Sequence, residues 1–436
     1  MCGLRGRLNE LKARTNAGLG LTTYRGLREL LTFNTPLDLV RERLPEKPVA
    51  CVRPERVSLA ANWFQENFPG EVIYAVKANP SPWVLDAAYA AGIRWFDVAS
   101  EVEVELIASR YPDAVMAFMH PVKSRKAIER AYFNHGVRIF SLDCEAELEK
   151  IVAATAGARD LTLVVRLAVS NAEAGYALSG KFGVSESDAP ELLRQTRRHA
   201  DELGVSFHVG SQCMSPSAYR DAMDLASRII LRAGVTIDIV DVGGGFPSAY
   251  PGMSPPDLSL YVDVIDECFE EMPVLMNADL WCEPGRALVA ESTSILARVE
   301  LVKDGALYIN DGSYGNLFDA AHCKWPFPVK AHRAEGEFGE EAGAYRLYGP
   351  TCDSIDTMEG PYDLPADIRE GDYIEIGMLG AYGVAMQTRF NGYGETDTVE
   401  VGDAPWTSMY GALPEAVEKT AKVIAFPRQK RLKRAL

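Results

Sequence analysis

The sequence predicts an α/β fold, a closed (β/α)8 barrel of the TIM type followed by a second, mostly β domain. Between about residue 46 and residue 290, eight short apolar runs alternate with longer helix-like segments. Eight strand–helix units in about 245 residues match the size of such a barrel. After residue 290, short strand-like segments with Gly and Asp turns replace this alternation. An open, doubly wound sheet is the alternative, but it more often has five or six strands.

The eight predicted strands are apolar nearly throughout, which is typical of parallel strands buried on both faces. Most of them end at their carboxyl side in polar residues or glycine. The active site of a barrel is built on that face, so this one-sided accumulation favours an enzyme. The strands are predicted at 72–79, 95–100, 114–120, 137–143, 161–168, 206–211, 236–245 and 274–285.

We predict that residues 46–290 form the barrel and that residues 1–45 and 291–436 together form the β domain. Within the β domain, the segment 324–343 is rich in charge, Pro and Gly and is predicted to be a loop. The segment RFNGYG at 389–394 is predicted to be a short strand, and the basic tail at 428–436 a solvated terminus.

Composition and charge limit the classes of partner. The chain has 436 residues with 45 Lys and Arg against 61 Asp and Glu, a net charge of −16. This balance disfavours a nucleic-acid partner and would suit a cationic small substrate, although acidity also serves solubility alone. We expect no membrane partner and no secretory signal, because no uncharged apolar stretch approaches the ~20 residues of a membrane span. The eight cysteines include no CxxC pair, so we expect a cytoplasmic protein without a metal site or disulfide framework.

Lys77 lies near the end of the first predicted strand, in VIYAVKANP. A lysine in an apolar strand is unusual, because an ammonium group is costly to remove from water unless it is paired or neutralised. Desolvation would lower the pKa of Lys77 and give the nucleophilic amine that a Schiff base requires. A strand-end lysine that extends to solvent is the equally weighted alternative.

Two glycine-containing segments follow the last two predicted strands. Gly243, Gly244 and Gly245 lie in DVGGGFP, and Gly285 and Arg286 lie in EPGR. Consecutive glycines let backbone N–H groups approach a phosphate closely, and the loops after strands 7 and 8 are the usual phosphate site of a barrel. Glycines also make tight turns, but the position of both segments favours phosphate binding.

Three further residues are candidates for the chemistry itself. Glu283, beside the predicted phosphate site, could pair with a cationic heterocyclic nitrogen. His208 in SFHVGSQ could stack on an aromatic ring or act as an acid–base group, although a single strand histidine is more often structural. Cys352 in YGPTCDS lies next to Asp353, which gives no reason for a reactive thiolate, so a neutral thiol that donates a proton is the compatible role.

Together these segments resemble one family, the fold-type III pyridoxal-phosphate decarboxylases with an alanine-racemase-like fold, and within it they are most similar to ornithine decarboxylases. The resemblance covers about residues 46–400. It implies pyridoxal 5'-phosphate as the cofactor. It also implies decarboxylation of a basic amino acid, L-ornithine to putrescine and also L-lysine to cadaverine, in polyamine biosynthesis. The matching segments, in order, are YAVKANP, FDVAS, SFHVGSQ, DVGGGFP, EPGR, INDGSYG, GPTCDSID, GAYG and FNGY.

The resemblance implies roles for individual residues. Lys77 would bind the cofactor covalently, His208 would lie against the cofactor ring, and Glu283 would keep the ring nitrogen protonated. Asp97 and Arg166 would form a supporting ion pair near Lys77. The phosphate would be held by Ser211, Gly243, Gly244, Gly245, Gly285, Arg286 and Tyr382.

The resemblance further implies a homodimer with shared active sites. Cys352 and Asp353 of one subunit would complete the site that holds Lys77 of the other. Cys352 would donate a proton to the α-carbon after CO2 leaves, and Asp353 with Asp319 would bind the distal ammonium of the substrate. The implied substrate-binding residues are Asp319, Asp353, Tyr314 and Tyr382.

Alternatives within and outside this activity stay open. The segment from Tyr314 to Asp319 looks shorter than in ornithine decarboxylases, which leaves room for lysine or a longer amine. A diaminopimelate or arginine decarboxylase is a second reading, although diaminopimelate enzymes place a glutamate where Asp353 stands. A racemase would need a catalytic tyrosine in place of Cys352. A catalytically inactive regulatory homologue is disfavoured because Lys77 and the other implied catalytic residues are all present.

Overall fold

The computed structural model describes residues 30–169, 174–176, 180–274, 276 and 278–412. The expectations for the first 29 residues and for the basic tail at 428–436 lie outside this part of the chain. No helix within these ranges is both long enough and apolar enough to span a membrane.

Eight parallel strands close into a barrel, which confirms the predicted fold. Each strand pairs with the next along the chain, and the eighth pairs with the first. In chain order the barrel strands are Glu71–Ala75, Trp95–Val98, Val115–Phe118, Ile139–Leu142, Thr162–Arg166, Glu202–Ser206, Ile239–Asp241 and Asp279–Cys282.

Helices between the strands cover the outside of the barrel. Their apolar residues recur at helical spacing, and Ser100 and Ser124 accept hydrogen bonds from the first-turn N–H groups of two of them. A helix at Pro54–Asn67 precedes the first barrel strand. The helices that follow are Pro82–Ala90, Glu101–Arg110, Arg125–His135, Glu145–Ala154, Ala189–Arg197, Ser217–Ala233, Leu258–Glu271 and Arg286–Val289.

The sixth strand lies earlier than the sequence predicts. The predicted run 206–211 overlaps the observed strand Glu202–Ser206 by one residue only. The chain turns after this strand, where Gly210 has a φ of 95° and its N–H donates to His208 Nδ1 at 3.0 Å. His208 therefore lies in the loop that follows the strand, on the face where an active site is expected.

A nine-stranded sheet forms the second body of the protein, as predicted, and it is accompanied by the short helices Pro36–Arg43 and Phe318–His322. Its strands are Thr32–Phe33, Val49–Val52, Thr293–Lys303, Ala306–Ile309, Val329–His332, Ala342–Tyr348, Thr357–Pro365, Tyr373–Ile376 and Asp397–Val401. The division of the chain at residues 46 and 290 stays a prediction, but Val49–Val52 pairs with strands of this sheet.

Two local predictions in this region are wrong. The segment 324–343 contains a strand, Val329–His332, which pairs with Tyr373–Ile376; its alternating half-buried residues were obscured by the flanking charge and Pro. The segment 389–394 is not a strand but includes a 3-10 turn at Phe390–Gly392, because Asn391 adopts a left-handed conformation with φ 54°.

Candidate active site

Strand alternation directs four charged residues into the barrel. Seven apolar residues from the barrel strands and their ends form a cluster separate from the main core. Three of them are Trp281, Val164 and Ile239, and the partly buried Trp95 packs against the cluster. Successive side chains of a strand point to opposite faces, so the residue two positions further on points the same way. That rule places four charged side chains one layer nearer the carboxyl face, namely Asp97, Arg166, Asp241 and Glu283.

Lys77 belongs to a 3-10 turn, Val76–Ala78, directly after the first strand. Its Nζ lies 2.6 Å from Oδ2 of Asp97, which is 1% exposed. Although the Lys77 side chain is 41% exposed, partial removal of its amine from water by itself lowers the pKa of Lys77, but the charges of Asp97 and Glu283 outweigh this effect and raise the pKa. The expected lowered pKa of Lys77 is therefore wrong for the protein without a bound cofactor.

The expected ion pair between Asp97 and Arg166 is not observed, because Asp97 takes Lys77 as its partner instead. The guanidinium of Arg166 lies 5.7 Å from the ring centre of Phe182. Its positive charge still acts on the site, where it opposes the raised pKa of Glu283.

Glu283 and Asp241 form a buried carboxyl pair. Glu283 is 8% exposed and Asp241 is fully buried. Burial, followed by the charge of Asp241, raises the pKa of Glu283 well above its usual range. Burial raises the pKa of Asp241 to about 6. Oε1 of Glu283 and Oδ2 of Asp241 have no hydrogen-bond partner within the described residues, so these two oxygens lack a cation or donor. Sequence reasoning missed Asp241, although its position two residues after Ile239 could have indicated it.

His208 presents a neutral ring to the same site. Its Nδ1 accepts the Gly210 N–H, which leaves the proton of the neutral ring on Nε2. Burial, together with the charges of Arg166 and Lys77, lowers the pKa of His208 well below its usual value. An uncharged imidazole can pack against an aromatic ring without a charge penalty.

The glycine segment lies too close to its neighbours to carry side chains. Gly243 has φ +67°, and its N–H donates to Asp241 Oδ1 at 2.8 Å. A Cβ on Gly244 would lie 2.7 Å from the backbone oxygen of Glu283 and 3.0 Å from Nε2 of His208. The segment is fixed from behind by the hydroxyl of Tyr219, which donates to the Gly244 oxygen at 3.0 Å.

Arg286 places a fixed positive charge beside these glycines. Its guanidinium contacts the hydroxyl of Ser211 at 3.3 Å and that of Tyr250 at 3.1 Å, and it lies 4.8 Å from the ring centre of Tyr382. Sequence reasoning missed Tyr250. Asp319, expected to bind the substrate, instead forms an ion pair with Arg286, with 3.0 Å between Nη2 and Oδ2.

The remaining site residues lie apart from Lys77. Cys352 and Asp353 line an open groove of about 1130 Å³, whose lining comes from the β domain and the helix Phe318–His322. Cys352 is exposed. The Tyr314 hydroxyl donates to Asp353 Oδ2 at 2.7 Å, and this bond lowers the pKa of Asp353. The structure thus gathers the predicted site residues into two separate groups, one at the barrel mouth and one at this groove.

These features define the class of the protein, a (β/α)8-barrel enzyme whose chemistry takes place where the strands end. Comparison with known proteins gives the family. Residues 55–290, more than half of the chain, match the model of the pyridoxal binding domain of pyridoxal-dependent decarboxylases. The chain belongs to this family, and it is a carboxy-lyase with pyridoxal phosphate as its cofactor.

Individual relatives carry different substrate names. A lysine/ornithine decarboxylase of Selenomonas ruminantium is 30% identical over 81% of this chain and 88% of its own length. An antizyme inhibitor 2 of Xenopus laevis is 30% identical over 73% of both chains. The crystal structure of an arginine decarboxylase of Paramecium bursaria Chlorella virus, bound to agmatine, aligns with a TM-score of 0.74 at 26% identity. That alignment covers 83% of this chain and 98% of the viral chain. The first and third of these names state decarboxylation of a basic amino acid, whereas the second names an inhibitor.

The residues at the barrel mouth fit this cofactor. The unpartnered oxygen of Glu283 suits a protonated pyridine nitrogen, which would supply the missing cation. The close approach of the Gly244 backbone to Glu283 and His208, which a side chain would block, suits a ring held against His208, and Arg286 with Ser211 suits a phosphate. Pyridoxal phosphate, when bound, supplies a positively charged conjugated ring that accepts the electron pair left when CO2 departs.

The close packing at Gly244 gives a test of this fit. In the variant Gly244→Ala, the added methyl group meets an immovable backbone oxygen, so the loop must shift away from the position that binds the cofactor. We expect pyridoxal phosphate to bind about 10- to 100-fold more weakly, an overpacking cost of about 1–3 kcal/mol. The measurement is a titration of the cofactor-free protein by absorbance. Gly402→Ala, at a position with only one neighbouring atom within 4 Å, is the control. Equal affinities of the two variants would place the cofactor elsewhere.

Proposed function

We propose that the protein converts L-ornithine to putrescine, and also L-lysine to cadaverine, and thereby feeds polyamine biosynthesis in the cytoplasm. The observation that carries this proposal is the carboxylate of Asp353. It follows the proton-donor candidate Cys352 directly, it is held ionised by the hydrogen bond from Tyr314, and it opens on the groove. An aspartate carboxylate directly after Cys352 matches a plain distal ammonium better than a second amino-acid head group.

Asp319 contributes less to recognition than the resemblance implies. Its charge is already balanced by Arg286 at 3.0 Å. A substrate ammonium would have to share this carboxylate with a buried guanidinium that cannot lose its own charge. We therefore assign the main recognition of the distal ammonium to Asp353, with Asp319 as a neighbouring negative charge.

Within the site, the chain's residues divide the work. Lys77 holds the cofactor and later releases the product amine, and Asp97 holds the lysine amine in place between these steps. Glu283 stabilises the positive ring nitrogen, while His208 keeps the ring in position. Charge placement and orientation are the protein's contribution to such reactions.

Cys352 acts at the end of the reaction. After the bond to CO2 breaks, the electron pair on the α-carbon takes the proton of the Cys352 thiol, and solvent then reprotonates the sulfur. Because Cys352 lines a groove apart from Lys77, we propose that the thiol comes from the second subunit of a homodimer. An exposed apolar surface supports a covered interface here: Ile355 is 54% exposed, Tyr393 45% and Phe390 40%.

One contact favours a site formed within a single chain. The helix Phe318–His322 places Asp319 against Arg286 while its neighbour His322 lines the groove. The groove and the barrel mouth therefore both contact this one short helix. Mixing of variants decides between these arrangements.

A second candidate function is regulatory, because one relative is named an inhibitor. The presence of Lys77, of the carboxyl pair Glu283 and Asp241, and of the Cys352 thiol argues against a regulatory function in this chain. A purified protein without the absorbance of bound pyridoxal phosphate, even with the cofactor in excess, would favour this candidate.

The substrate is tested by release of CO2 from the cofactor-loaded protein. Ornithine, lysine, arginine and diaminopimelate are compared at equal concentration. We expect the highest kcat/KM with ornithine and a value about 10- to 200-fold lower with lysine, because one methylene is worth about 1–3 kcal/mol. Arginine and diaminopimelate should give less still. A preference for either of these two would overturn the assignment of Asp353 to a plain ammonium.

The shared site is tested by mixing two inactive variants, Lys77→Ala and Cys352→Ala. When the two variants are mixed in equal amounts, half of all dimers that form are heterodimers. If the sites are built across the two-fold axis, each heterodimer regains one intact site. We therefore expect about a quarter of the wild-type activity. The matched control mixes Lys77→Ala with Glu283→Ala, whose defects both lie in the barrel, and should stay inactive. No recovery in the first mixture would mean that each site belongs to one chain.

A further inference from the structure

One buried carboxylate, that of Asp356, joins two loops of the β domain. These loops span residues 311–316 and 349–356. Asp356 is 2% exposed. Its Oδ1 accepts hydrogen bonds from the backbone N–H and the hydroxyl of Ser313, at 2.7 and 3.0 Å. Its Oδ2 accepts from the backbone N–H and the hydroxyl of Thr351, at 3.1 and 2.7 Å.

The backbone of Asp356 closes the second loop as well. Its backbone N–H donates to the backbone oxygen of Asp353 at 3.1 Å, and its backbone oxygen accepts from the Gly349 N–H at 2.9 Å. The carboxylate fits only because two glycines face it. A Cβ on Gly312 or on Gly349 would lie 2.2 Å from Oδ1 of Asp356. The two loops are thus packed around this one side chain.

This arrangement determines where the groove's functional groups lie. Cys352 and Asp353 stand between Thr351 and Asp356, the two fixed points of the loop. Tyr314 lies in the other loop, and its hydroxyl bonds to Asp353. A shift of Asp356 would therefore move the thiol and the carboxylate together.

We propose that Asp356 is a positioning residue for the protonation step: it fixes the Cys352 thiol and the Asp353 carboxylate without touching the substrate. The inference rests on the proposed function, since it takes Cys352 as the proton donor. A donor displaced by about 1 Å can slow its step by about 100-fold. The proton would then add to the aldehyde-derived carbon of the cofactor instead of the α-carbon. One water would cleave the carbon–nitrogen double bond at the α-carbon, which would release an aldehyde and pyridoxamine phosphate in place of the diamine.

The test is the variant Asp356→Asn. Each carboxylate oxygen accepts from a backbone N–H, so an amide nitrogen at either position faces a donor that cannot turn away. We expect kcat for the diamine to fall by about 10- to 100-fold and the aldehyde share of the products to rise. The absorbance of bound pyridoxal phosphate should not change, because Lys77 lies in the barrel. Asp363→Asn, the same change at an exposed position of the neighbouring strand, should match wild type.

A milder variant, Thr351→Val, removes one hydroxyl donor and keeps the loop backbone. It should raise the aldehyde share in the same direction but less, which keeps the inference testable if Asp356→Asn does not fold. A wild-type product ratio in Thr351→Val and in any folded Asp356→Asn protein overturns the inference. If Cys352→Ala itself yields only diamine at an unchanged rate, the proposed function of Cys352 falls instead.

Discussion

At the barrel mouth three buried carboxyl groups face a single lysine. Asp97 pairs with Lys77, but one oxygen of Asp97, of Asp241 and of Glu283 finds no hydrogen-bond partner among the described residues. Buried carboxyl groups without partners are costly, and they respond by raising their pKa values or by attracting a cation. The site therefore has an excess of carboxyl groups, three against the two basic side chains Lys77 and Arg166, where the cofactor's ring nitrogen would lie.

This excess also sets the charge state of the lysine. The surrounding carboxylates favour its ammonium form against the effect of burial. A cationic ring nitrogen beside Glu283 would take up part of that negative charge and so favour the neutral amine needed to bind an aldehyde. Cofactor binding and lysine reactivity are thus coupled through the same carboxylates. In the proposed function, the second half of the chemistry would come from Cys352 and Asp353 in the separate groove of the β domain.

The barrel was predictable because its strands are continuous apolar runs whose polar ends accumulate on one face. Lys77, Glu283 and Arg286 follow from the same pattern. The strand Thr357–Pro365 was missed because Gly360 and Pro361 interrupt it, and these are residues that ordinarily end strands.

Other features depend on contacts between distant parts of the chain. The pKa of Lys77 is set by carboxylates that enter from other strands, so the desolvation argument alone gave the wrong direction. The pairing of Asp319 with Arg286 requires the β domain to be folded against the barrel. Asp356 carries no local sequence signal for its role, since its four donors come from two separate loops.

The central claim is that Lys77 is the covalent attachment point of the cofactor. The most direct measurement reduces the pyridoxal-phosphate-loaded protein with borohydride, digests it and locates the modified peptide by mass spectrometry. The account predicts one stable phosphopyridoxyl group per chain, on Lys77. A label on any other lysine, or no label at full occupancy, would contradict it.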